Sequence, residues 1–122
     1  MRYIFLILTI ISLSTVSCGN YLENNGYPKS VSFPAEGGTK IISGEKSLFN
    51  FIIDDGNKEY TDSFSETDST FIVEAHWLKV TTKYNSHYIT LEAASTDIKG
   101  PETLWIYANS GPEEAVIRIT RN

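Results

Sequence analysis

From residue 30 onward, apolar and polar positions trade places in short runs, with glycine, asparagine, proline and aspartate gathered between them. Residues 30–33 (SVSF) alternate and then meet Gly37 and Gly38, a pair that permits a turn. TKIIS (39–43) follows, then GEKS, then LFNFII (48–53), which breaks off at the strong turn signal DDGN. TFIVEA (70–75) and WLKVTT (77–82) form a hairpin-like pair closed by KYNS. In HYITLEA (87–93), Ile89, Leu91 and Ala93 share one face and Tyr88, Thr90 and Glu92 the other. TLWIYAN (103–109) alternates in the same way, ends at SGPE and is answered by AVIRITR (115–121). No segment after residue 18 holds a helical period for three turns. Seven or eight short strands rich in threonine, isoleucine, valine and aromatics predict an all-β fold, an immunoglobulin-like antiparallel β-sandwich. Residues 54–70 are the least patterned and read as an inserted loop or irregular edge.

The N-terminus has a different character. Arg2 precedes an uncharged apolar stretch over residues 4–16, too short for a helix that must cross about 20 residues' depth of hydrocarbon. In length and flanks it is a secretory signal peptide, residues 1–17. It ends at Val16, Ser17, Cys18 and Gly19, and this pattern resembles the bacterial lipobox, in which the cysteine is lipidated and becomes the mature N-terminus. The resemblance implies a diacylglyceryl thioether and an N-acyl chain on Cys18, enough acyl chains for lasting attachment. It also accounts for the chain's single cysteine, which needs no disulfide partner. Residues 18–29, with glycine, asparagine and proline but no periodicity, read as a lipid-anchored tether. The implied address is the bacterial outer membrane, leaning to the periplasmic side because Glu23 stands alone after Cys18 rather than in an acidic cluster.

Removing residues 1–17 leaves 105, enough for one domain with a single core. Without Arg2, nine basic residues face fifteen acidic ones, a net charge of −6. An acidic chain with no basic cluster argues against nucleic acid and against a polybasic lipid contact. Asp54, Asp55, Glu59, Asp62, Glu66 and Asp68 fall close together and read as a solvated loop. The spacing Asp55, Asn57, Glu59, Thr61, Ser63, Glu66 imitates an EF-hand loop, but Tyr60 stands where the turn needs glycine and no helices flank it. No metal or other cofactor is expected. His76 and His87 read as loop-edge histidines, and there is no nucleophile elbow, phosphate loop or zinc-binding helix motif. No catalytic residue is expected, and the chain reads as a non-enzyme.

FPAEGGTKIIS, WLKVTT, YITLEAA, LWIYANSG and AVIRITRN together resemble the BACON domain, the Bacteroidetes-associated carbohydrate-binding, often N-terminal module. The features that carry the likeness are Gly37 and Gly38, Trp77, Leu78 and Val80, Ile89 to Ala94, and Leu104 to Thr120. The domain so delimited is residues 30–122. The resemblance implies a setting in glycan handling, and the residues read as a sandwich working by contact rather than catalysis.

The residues suggest where. If Leu104, Ile106 and Ala108 point inward, Trp105, Tyr107 and Asn109 stand outward, with Tyr88 leaning the same way on its own strand. Aromatic faces beside an amide suit a pyranose ring, whose C–H-rich face packs on them. The competing arrangement has residues 54–70 folded over that face, making Trp105 and Tyr107 a satellite core. Trp77 reads as packing at the sandwich rim. The expected partners are the membrane, through Cys18, and a glycan; the alternative is a structural lipoprotein that contacts an envelope protein through an edge strand.

Overall fold

A computed structural model describes residues 23–122, in which the alternation resolves into ten strands forming two five-stranded sheets. Sheet A runs, in spatial order, β1 (Ser30–Phe33), β10 (Glu114–Arg121), β9 (Thr103–Asn109), β3 (Phe49–Asp54) and β4 (Glu59–Thr61). Sheet B runs β2 (Gly38–Ser43), β8 (Tyr88–Ala93), β7 (Leu78–Lys83), β6 (Thr70–Ala75) and β5 (Ser63–Ser65). Every pairing is antiparallel except that of β1 with β10. The architecture is all-β and sandwich-like.

The inward positions are those that alternation marks. Leu104, Ile106 and Ala108 on β9 are buried, as are Ala115, Ile117 and Ile119 on β10. From sheet B, Val80, Ile89, Leu91 and Ala93 join the same core. A strand's successive side chains point to opposite faces, so one apolar residue in two is enough to build this interior.

Of the two readings of residues 54–70, the irregular edge is the one the structure shows: the segment contains β4 and β5, each three residues long and each at the edge of a different sheet. Three residues are too few for a period of two to register in sequence. The expected tether, however, ends earlier than residue 29. Asn24 Nδ2 donates to the Val116 carbonyl (2.9 Å) and its Oδ1 accepts from the Val116 N–H (2.7 Å). This amide thus stands in for a strand residue on the β10 edge, and β1 takes up the pairing at Ser30. Tyr27 is buried, donating to the Lys46 carbonyl at 2.6 Å. Cys18, the signal peptide and the first part of the tether lie outside the described residues.

Candidate functional site

Trp105, Tyr107 and Asn109 project from the outer face of sheet A, as alternation predicts, but they are half-buried rather than free. Their cover comes from within the sheet. Trp105 is flanked by Arg118 on β10 and Asp54 on β3, and Tyr107 by Val116 and Ile52. Directly opposed side chains lie within about 4.5–5.5 Å at Cβ, so long neighbours shield a ring without closing over it. Residues 54–70 do not fold across this face. They pair with β3 edge-on as β4 and then pass to sheet B as β5.

Tyr88 does not join the group. It is on β8, exposed, on the outer face of the opposite sheet, where Ile41 of β2 is also exposed. Alternation assigns a side chain to one face of its own strand but not to a sheet, so the four residues expected to gather form two separate surfaces.

Trp77 is 2 % exposed, and its Nε1 donates to the Pro101 carbonyl at 2.6 Å. The Arg121 guanidinium stacks 4.6 Å from the indole while donating to the Ala94 and Ser95 carbonyls. This is the rim packing expected of Trp77, with a buried arginine added.

A feature that sequence reasoning missed lies at the start of β3. Tyr107 pairs with Ile52 but Asn109 pairs with Phe49, so β3 holds one extra residue opposite Ala108. Asn50 has φ +58, the left-handed conformation that such bulges use and that asparagine tolerates. Strict alternation would send Phe49 inward with Phe51. The bulge reverses this: Phe51 is buried, and Phe49 is 39 % exposed and paired across from Asn109. Asp62, where the chain changes sheets, accepts the Phe51 N–H on Oδ2 at 3.0 Å, while its own N–H donates to the Phe51 carbonyl.

Beside the bulge is a cleft of about 410 Å³, lined by Ser47, Phe49, Asn50, Phe71, Tyr84 and Asn85 among others. Two of its walls, Phe71 and Tyr84, are bridged from outside the cleft by Phe64, whose ring lies 4.6 Å from Phe71 and meets Tyr84 edge-on at 6.5 Å. Phe64 and Tyr84 are exposed. The only sequence sign of this site is Asn50 interrupting an otherwise apolar run.

The acidic segment is organised rather than loose. Asp55 Oδ1 accepts the Asn57 and Lys58 N–H groups, and Oδ2 accepts from His76 Nε2 at 2.8 Å. Tyr60 donates to the same carboxylate at 3.4 Å and sets its ring edge-on to His76. The imidazole bond and the two amides hold the Asp55 carboxyl down at about 2. His76, with φ +57 in the β6–β7 turn, is thereby tied to the β3–β4 turn of the other sheet. The partner of His76 was not visible in sequence, because this pair joins residues 21 positions apart across the two sheets.

No protein-family model, curated protein or solved structure matches this chain.

Proposed function

We propose that this protein is a non-enzymatic envelope lipoprotein, anchored through Cys18 in the outer membrane, whose BACON-like domain binds a glycan. The single observation that carries the reading is the outer face of sheet A. There Trp105 and Tyr107 stand in line on β9, followed by Asn109 and its partner Phe49, with the acidic segment passing beside them rather than over them. Aromatic rings offer flat apolar area at low entropic cost, and the asparagine amide supplies both donors and acceptors for hydroxyl groups. An immunoglobulin-like assignment is supported by strand order. Taking β2, β3, β7, β8, β9 and β10 as strands B to G reproduces the neighbours C-F-G in sheet A and B-E-D in sheet B.

The test is retention of the detergent-solubilised full-length protein on a printed array of oligosaccharides, with Trp105→Ala beside it. Binding that disappears in the variant supports the reading, and an empty array overturns it. A second reading, docking of an envelope protein, rests on a different surface, the exposed Ile41 and Tyr88 on sheet B. It predicts no glycan binding, and crosslinking lost in Ile41→Asp.

A further inference from the structure

We infer that the cleft at the β3 bulge is the specificity pocket of this site, and that it takes one uncharged sugar unit of a neutral glycan. The inference rests on the glycan reading and adds to it the pocket, the ligand's charge class and the residues that select it.

The pocket's chemistry is mixed in a particular way. Phe49, Phe71 and Tyr84 supply apolar walls; the Asn50 and Asn85 amides, with the Ser47 hydroxyl, supply donors and acceptors. Ser47 Oγ donates to Asn85 Oδ1 at 3.4 Å, leaving the Asn85 amide nitrogen able to donate to a ligand. A purely apolar guest would leave these polar groups unpaired, and a purely polar one would waste the rings. A sugar ring has both an apolar face and equatorial hydroxyls. The volume is within the range of small-molecule sites, about 300–1,000 Å³.

Charge decides between sugar classes. No lining residue of the cleft is ionised. At the same end of the domain Lys46 is paired with Glu113 at 3.2 Å, so it offers no unmatched cation to a uronate or sulfate. The whole chain is acidic, at −5, and repels anionic chains at long range. An acidic glycan would therefore meet a repulsive field with nothing in the pocket to compensate.

The bulge places the pocket where the outer-face row ends. Asn109, last of the β9 row, is the cross-strand partner of Phe49, which lines the cleft. In this reading a chain lying along Trp105 and Tyr107 passes over that pair, with one unit entering the cleft between Phe49 of sheet A and Phe71 and Tyr84 on the side of sheet B.

The test uses full-length protein in detergent and measures Kd for neutral hexasaccharides of glucose, mannose and galactose, with hexagalacturonate as the acidic control. Tyr84→Ala is expected to weaken the best neutral ligand about tenfold. Asn50→Gly, which keeps the left-handed backbone and removes only the amide, is expected to weaken it with little change in melting temperature. Tyr84 is 67 % exposed, so loss of fold is not expected to mimic loss of binding. If Trp105→Ala loses binding while Tyr84→Ala and Asn50→Gly bind as wild type, the pocket is refuted and the glycan reading stands. Tighter binding of hexagalacturonate overturns the charge assignment, and no binding by any oligosaccharide overturns both.

Discussion

The two tryptophans offer the sharpest test of how this domain is built. Trp77 is 2 % exposed, hydrogen-bonded through Nε1 and stacked under a buried arginine. Truncating a core tryptophan to alanine costs about 3–5 kcal/mol, and the lost N–H bond adds about 1 kcal/mol. Trp77→Ala also strips the ring from under Arg121, so a loss of about 4 kcal/mol or more is expected. For a domain of this size each kcal/mol moves the midpoint by about 4–8 °C, giving a fall of about 15 °C at the least. Trp77→Phe keeps most of the apolar bulk and should lose about 1–3 kcal/mol, mainly through the Pro101 carbonyl left unpaired. Trp105 is half-buried between Arg118 and Asp54 on an outer face. An aromatic ring buries about 150–250 Å² when enclosed, so half-burial at about 25 cal/mol per Å², reduced for a compact unfolded state, gives about 1–3 kcal/mol. The assay is urea unfolding of the full-length protein and each variant at pH 7, followed by circular dichroism, with unchanged slopes as the check on two-state behaviour. Equal losses for Trp77→Ala and Trp105→Ala, or a larger loss for Trp105→Ala, would refute the assignment of one to the rim core and the other to an outer face.

Three further outcomes are expected, two from the geometry and one from the N-terminal sequence. Asp55 is held at about 2, below the ordinary 3.8, so its contribution is complete above about pH 4 and is lost as pH falls through 2. Asp55→Asn should therefore lose less stability than wild type between pH 4 and pH 2, and parallel acid-unfolding curves would contradict the His76 bond. Gly37 has φ +80, and an added Cβ would sit 2.3 Å from the Ala93 carbonyl oxygen. Gly37→Ala should cost more than the about 1–2 kcal/mol of the left-handed backbone alone, a loss readable in the same urea titration. Cys18→Ala should abolish incorporation of a fatty-acid analogue and release the protein from membranes; a variant that remains labelled and sedimented would defeat the lipid-anchor proposal.

The core was legible from the chain alone, and for a local reason. Side-chain direction along a strand is set by the backbone of that strand, so Leu104, Ile106 and Ala108, or Ile89, Leu91 and Ala93, could be assigned inward without knowledge of their neighbours. Trp105 and Tyr107 followed as their outward complement. What needed the tertiary structure is everything that depends on which strand lies beside which. Parity places Tyr88 outward but cannot say that its outward side faces away from that of Trp105, because sheet membership is decided by long-range hydrogen bonding. Strands β4 and β5 are held by partners rather than by pattern, and Asn24 joins the fold by pairing with a residue 92 positions away. The Asn50 bulge is the clearest case: one residue in the left-handed conformation reverses the parity of Phe49, and with it the place of the cleft. Alternation determines a strand's two faces until a bulge intervenes, and whether one does is decided by the register with the neighbouring strand.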